Sequence, residues 1–178
     1  MKHLMFISLL VFFIPQVYSQ QHTVPIDETT KLITWKDVVQ QNGTKEVLYN
    51  RAIEWINSYY SNPQGITKIR DVDNGKILIN HAIRLNDTLK SGEVVPSQTT
   101  VNYVFNLEFR ENRYRYTFSD FTMKANSKFP LERWLDTTHQ SYQPAWAGYL
   151  LQIDKTINET ISSLKEGMKE KVVKEDNW

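Results

Sequence analysis

The chain has 178 residues, 40% of them hydrophobic and 12% aromatic, with 21 basic and 20 acidic side chains. That balance fits one globular domain and excludes a disordered tail, a coiled coil and a multidomain enzyme. Cysteine is absent, which removes thiol catalysis, disulfides, iron–sulfur clusters and cysteine-based zinc sites together.

In chain order, residues 1–19 read first, as a secretory signal peptide. Lys2 and His3 give a short basic start, Leu4–Ile14 is an almost unbroken apolar run, and Val17-Tyr18-Ser19 offers a cleavage site before Gln20. The run has 11 residues, too few for a hydrocarbon core that needs about 20. No cysteine follows it, so lipid anchoring is excluded. The expectation is a periplasmic or secreted chain, cut near Ser19-Gln20 and not inserted in the membrane. Cleavage removes Lys2 alone among the charged residues and leaves 20 basic against 20 acidic ones, so no net charge draws the chain to phosphate backbones or anionic lipid. The glycosylation-type triplets at Asn42, Asn86 and Asn158 read as chance.

After the signal, 20–30 is an extended polar leader, 31–168 a single domain and 169–178 a charged tail. Lys31–Gln40, rich in β-branched residues, predicts a first strand. Asn42-Gly43 turns the chain, and Thr44 is placed to cap a helix from Lys45 to about Ser61. Leu48, Ala52, Trp55 and Tyr59 form its apolar stripe, and Pro63 and Gly65 stop it. Ile66–Val72 and Lys76–Leu85 flank Asp73-Asn74-Gly75, a preferred tight-hairpin sequence. In the second of these strands Ile77, Ile79, Ile83 and Leu85 share one face, and Asn80 and Arg84 the other. Asn86–Gln98 reads as a long polar loop. Val101, Tyr103, Phe105, Leu107 and Phe109 then alternate with Asn102, Asn106 and Glu108. After a turn at Glu111-Asn112, Tyr114, Tyr116 and Phe118 alternate with Arg113, Arg115 and Thr117. Period-two alternation of this kind means one buried and one solvated face. Phe129–Leu135 is a connecting loop with one helical turn. Pro144 opens the last helix, whose stripe is Trp146, Leu150, Ile153, Ile157, Ile161, Leu164 and Met168.

The predicted fold is two-layer α+β: an antiparallel sheet of about five strands with two amphipathic helices on one face, in the order strand, helix, four strands, helix. The other face is left open.

Five segments together resemble one family: Val24-Pro25-Ile26-Asp27 with Lys31-Leu32-Ile33-Thr34-Trp35; Leu48-Tyr49-Asn50-Arg51-Ala52 with Trp55; Asp73-Asn74-Gly75-Lys76-Ile77; and the run Arg113 to Phe121. The chain is similar over 24–165 to an uncharacterised exported family, mostly of Bacteroidetes-type bacteria, with a TATA-binding-protein-like fold. The resemblance implies a fold and a compartment and transfers no functional residues. Nor does the fold name imply nucleic-acid binding. The predicted open face carries Arg84, Arg113 and Arg115 but also Glu108, on a neutral exported chain, and lacks the basic surface and apolar wedges that bend a duplex.

The chemical constellations are sparse. Asp71-Val72-Asp73-Asn74-Gly75 opens like a calcium loop but carries Ala82 where a bidentate Glu belongs. His81 falls on the apolar face of its strand and reads as a structural histidine. Asp136, His139 and Ser141 offer acid, base and hydroxyl in one loop, without a nucleophile elbow. No two histidines have metal-ligand spacing and no glycine-rich phosphate loop exists, so no catalytic residue, metal site or cofactor is expected. The ligand-binding candidates are Arg84, Asn102, Asn106, Arg113 and Arg115 on the open face, with Trp134 and Trp146 in an aromatic group that includes Tyr142 and Tyr149. The leading functional expectation is a non-enzymatic envelope module that holds a protein or peptide through sheet face, sheet edge or the 86–98 loop. The alternatives are a saccharide or small-ligand binder or enzyme of the envelope, using Trp134–Tyr149 with Asp136 or His139, and a structural homodimer joined at a sheet edge.

Overall fold

The computed structural model describes residues 24–170, with 126–128 as backbone alone. The expected signal peptide, the first part of the leader and the end of the charged tail lie outside the described residues. Among the described residues no helix is long and apolar enough to cross a membrane.

The first strand, β1, is Trp35–Gln40 rather than the whole of 31–40. The reason is local. Asp27 Oδ1 accepts the backbone N–H groups of Thr29 and Thr30 at 3.0 and 2.8 Å, and Lys31 sits at φ 60°, so the chain turns before it extends. Helix α1, Lys45–Tyr59, starts where Thr44 accepts the Val47 N–H at 3.2 Å. Its buried stripe is Leu48, Tyr49, Ala52, Trp55 and Ile56 and continues to Tyr60, while Tyr59 faces outward. Pro63 and Gly65, expected only to end that helix, form a second short one, α2 (Pro63–Ile66), capped by Asn62. Strands β2 (Thr67–Asp71) and β3 (Lys76–Thr88) follow, then β4 (Val94–Arg110), β5 (Arg113–Met123) and β6 (Asn126–Pro130). A 3-10 turn at Leu131–Leu135 precedes helix α3, Ala145–Gly167.

The sheet is antiparallel with order β1-β5-β4-β3-β2, and β6 pairs the far end of β5 beyond β1. Six strands stand where about five were expected. The sixth runs through the segment read as a loop. A second correction concerns Asn86–Gln98, which is mostly strand: Asn86, Asp87 and Thr88 pair with Pro96, Val95 and Val94, leaving a short turn at Leu89–Glu93. In β5 one extra residue, Asp120 at φ 56°, is inserted between the pairs Val104–Ser119 and Asn102–Thr122. This bulge lets Phe118 and Phe121 both face the core.

Both long helices lie on one face. Ile77, Ile79, Leu85, Val101, Phe105, Leu107 and Phe118 are fully buried beneath them with Leu48, Ile56, Ile153, Ile157 and Leu164. Phe105 stacks on Phe118 with centroids 4.1 Å apart, and Trp55 meets Phe105 edge-on at 6.1 Å. Each such ring contributes roughly 1.5–3 kcal/mol on leaving water. The alternation read from the sequence is therefore the physical basis of the two layers.

Candidate functional site

On the open face the register sets residues in rows across the strands. Val38, Arg115, Glu108 and Lys76 form one row, Lys36, Thr117, Asn106 and Leu78 the next. Arg115 Nε and Nη2 donate to Glu108 Oε2 at 2.8 and 2.6 Å, and Asn106 Nδ2 reaches the same oxygen at 3.2 Å. Arg113 faces Arg110 across the hairpin end. A cavity of about 170 Å³ opens there between Val38, Glu108, Arg110, Arg113 and Arg115. Asn102 and Arg84 lie farther along the face, away from this group.

The sheet edge at β3 is the second feature. The last β2–β3 pair is Thr67–Ile79, yet β3 continues to Thr88. Alternate residues of a strand turn their backbone groups to the same side. Gly75 O accepts the Phe109 N–H from β4 at 2.8 Å, so odd-numbered positions face β4. Asn86 N–H and C=O bond instead to the Gln152 side chain of α3, each at 2.9 Å. Ala82 and Arg84, in phase with Asn86 and beyond the last β2–β3 pair, therefore direct their N–H and C=O groups off the sheet, where among the described residues no strand pairs with them.

A groove flanks each side of this free stretch. One, about 550 Å³, lies toward the open face between Ile66, Asn80, Ala82, Asn102, Asp120 and Thr122. The other, about 400 Å³, lies toward the helices between Tyr59, Tyr60, Arg84, Thr156 and Thr160. His81, Ala82 and Tyr103 border both. Tyr60 and Tyr103 hold the His81 ring between centroids at 5.0 and 5.8 Å. Burial pushes the His81 imidazole below its ordinary value and the Tyr103 hydroxyl up to about 12, so both are neutral near pH 7.

The remaining sequence candidates are differently placed. Trp134 is 1% and Trp146 5% exposed, stacked on each other at 5.6 Å with Tyr149 beside them. These rings pack the core and present no face to a ligand, which removes them as a stacking platform. Asp136 Oδ1 accepts from the Thr138 amide and hydroxyl at 3.0 and 2.6 Å, and His139 Nδ1 accepts the Ser141 backbone N–H at 3.1 Å. Those are turn contacts, not a proton relay. Asp71 likewise binds the amide and side chain of Asn74 at 2.9 and 2.8 Å, the chemistry of a hairpin turn.

Sequence reasoning missed Gln152, Tyr60 and the free stretch of β3. A signal was present: the strand pattern after Asn74-Gly75 is longer than the one before it, so part of it must lack a hairpin partner.

The family model described as a domain of unknown function (DUF4468) with TBP-like fold matches residues 35–124. The chain belongs to this family. The TBP-like family member aligns its first strand through the β5 bulge with that model, in agreement with the resemblance carried by the two hairpins. A crystal structure of a TBP-like protein from Parabacteroides distasonis superposes with TM-score 0.62 at 15% identity, covering 82% of this chain and 96% of that one. A DUF4468 family protein from Bacteroides ovatus gives 0.63 at 12% identity, covering 84% and 93%. At such identities the likeness establishes the fold alone. None of the curated proteins matches the chain.

Proposed function

We propose that this DUF4468 member is an exported, non-enzymatic module that captures an extended peptide segment along β3. The observation that carries the reading is the backbone of Ala82 and Arg84, which no strand pairs among the described residues and which is bordered by two grooves. A guest strand added there takes main-chain hydrogen bonds from the edge, and its side chains alternate between the two grooves. The groove toward the helices is aromatic, with Tyr59, Tyr60 and His81, and suits an apolar or aromatic side chain. The groove toward the open face is mixed, with Asn80, Asn102 and Asp120 beside Ile66 and Val104. Export is supported by the sequence of residues 1–19.

Ala82→Pro tests the reading. Proline deletes the outward N–H, and an edge strand accepts it where that N–H faces away from the sheet. With a photocrosslinker at Arg84, cells should yield a discrete adduct that Ala82→Pro abolishes while the purified variant keeps its circular dichroism spectrum. An adduct unchanged by the proline means that the edge is not the docking element.

A further inference from the structure

We propose that the β4–β5 hairpin end is an oxyanion site in which Arg110 and Arg113 clasp a phosphate or carboxylate group. Arg110 and Arg113 are direct cross-strand partners, and like charges so placed repel. Arg115, two residues on, is neutralised by Glu108 at 2.6 Å. Among the described residues no carboxylate lies within ion-pairing distance of Arg110 or Arg113, and Glu111 in the intervening turn pairs with neither.

The three guanidinium groups and Glu108 border one cavity of about 170 Å³, with Val38 as its apolar wall. A cavity of that size takes one small oxyanion. Guanidinium groups present forked N–H donors that match the paired oxygens of carboxylate and phosphate. The Glu108 carboxylate also orients Arg115 through two bonds, at Nε and Nη2, so the third guanidinium is held in place before a ligand arrives. An anion between Arg110 and Arg113 turns their mutual repulsion into shared attraction. The site lies where β4 turns into β5, farther along the strands from Ala82 and Arg84, and does not depend on the peptide-binding reading.

The test is an NMR titration of the purified chain, following arginine Nε–Hε signals at constant ionic strength, with inorganic phosphate in one arm and glutarate in the other. Saturable shifts at Arg110 and Arg113, with Arg84 unmoved, are expected in at least one arm; the responding arm names the oxyanion. Arg113→Gln should weaken the response at least about tenfold, the loss expected for a charged hydrogen-bonding group. Arg110→Glu should abolish it while raising the melting temperature, because the opposed pair becomes attractive. Linear shifts in both arms, equal movement at Arg84, or an unaltered response in Arg113→Gln overturns the proposal.

Discussion

Two tryptophans show how differently one residue type is used. Trp35 Nε1 donates to the buried Asp154 carboxylate at 3.3 Å, and Asn158 adds a second donor at 2.9 Å. Trp134 is as deeply buried but its Nε1 has no hydrogen-bond partner. Replacing a ring whose N–H is bonded strips a donor from a buried acid, whereas replacing one whose N–H is orphaned removes an unsatisfied group. Trp35→Phe should therefore lower the unfolding free energy by about 1–3 kcal/mol more than Trp134→Phe in urea denaturation. At the same scale His81 makes stability depend on pH. Its folded-state affinity for protons is depressed by burial, so the unfolded chain binds the proton more readily. The stability it contributes is complete above about pH 6.5 and is lost as pH falls toward the lower folded value. Between about pH 7.5 and 5, wild type should lose more stability than His81→Phe in matched denaturant titrations; equal losses would assign the acid sensitivity to other groups.

Elements meet at a few close approaches that a side chain would obstruct. Gly75 ends the β2–β3 turn at φ +60°, and a Cβ there would stand 2.8 Å from the Phe109 carbonyl. Gly167 closes α3 against Trp55, where a Cβ would lie 2.5 Å from the indole. Gly167→Ala should cost about 1–3 kcal/mol by thermal unfolding through overpacking, although alanine is the better helix former. The outer half of the β3–β4 hairpin is tied to α3 by polar groups: Gln152 to Asn86, and Tyr149 to Asp87 and to Ser97 Oγ at 3.0 Å. That attachment explains what the sequence could and could not reveal. The stripes of α1 and α3 and the alternations of β3, β4 and β5 were legible because each repeats against a greasy layer. Asn86–Gln98 was not, because its contacts to the helix are hydrogen bonds and leave no apolar period. β6 was not, because five residues on an edge carry too short a pattern.

At the scale of the molecule, one apolar interior fixes the architecture, and the functional features sit where that interior does not reach. The order of elements, the two layers and the open face could all be argued from hydrophobic periodicity. The candidate site could be read only in part. Arg113 and Arg115 were named from the sequence as members of a polar face, but their meeting with Arg110 beside Val38 depends on register across three strands. The aromatic group at Trp134 and Trp146 misled for the complementary reason: its spacing marks a helix face and cannot say whether that face is covered. Coverage is a property of the whole, decided when the 3-10 turn lays Trp134 on α3.

The Gln152 amide has a consequence for association. Its carbonyl and NH2 occupy the groups of Asn86 as a neighbouring peptide unit would, while β2 occupies the strand up to Ile79. The free stretch is thus stoppered at both ends, like a dock with a fixed berth. In the proposed complex a visiting strand bonds over Ala82 and Arg84 and no farther, so its contact length is metered by the host. Open-ended zippering into fibrils, the hazard of any bare strand, is interrupted at a glutamine. Gln152→Ala should lengthen the berth, and with it the tendency of the chain to polymerise, measured as thioflavin-positive growth at elevated concentration.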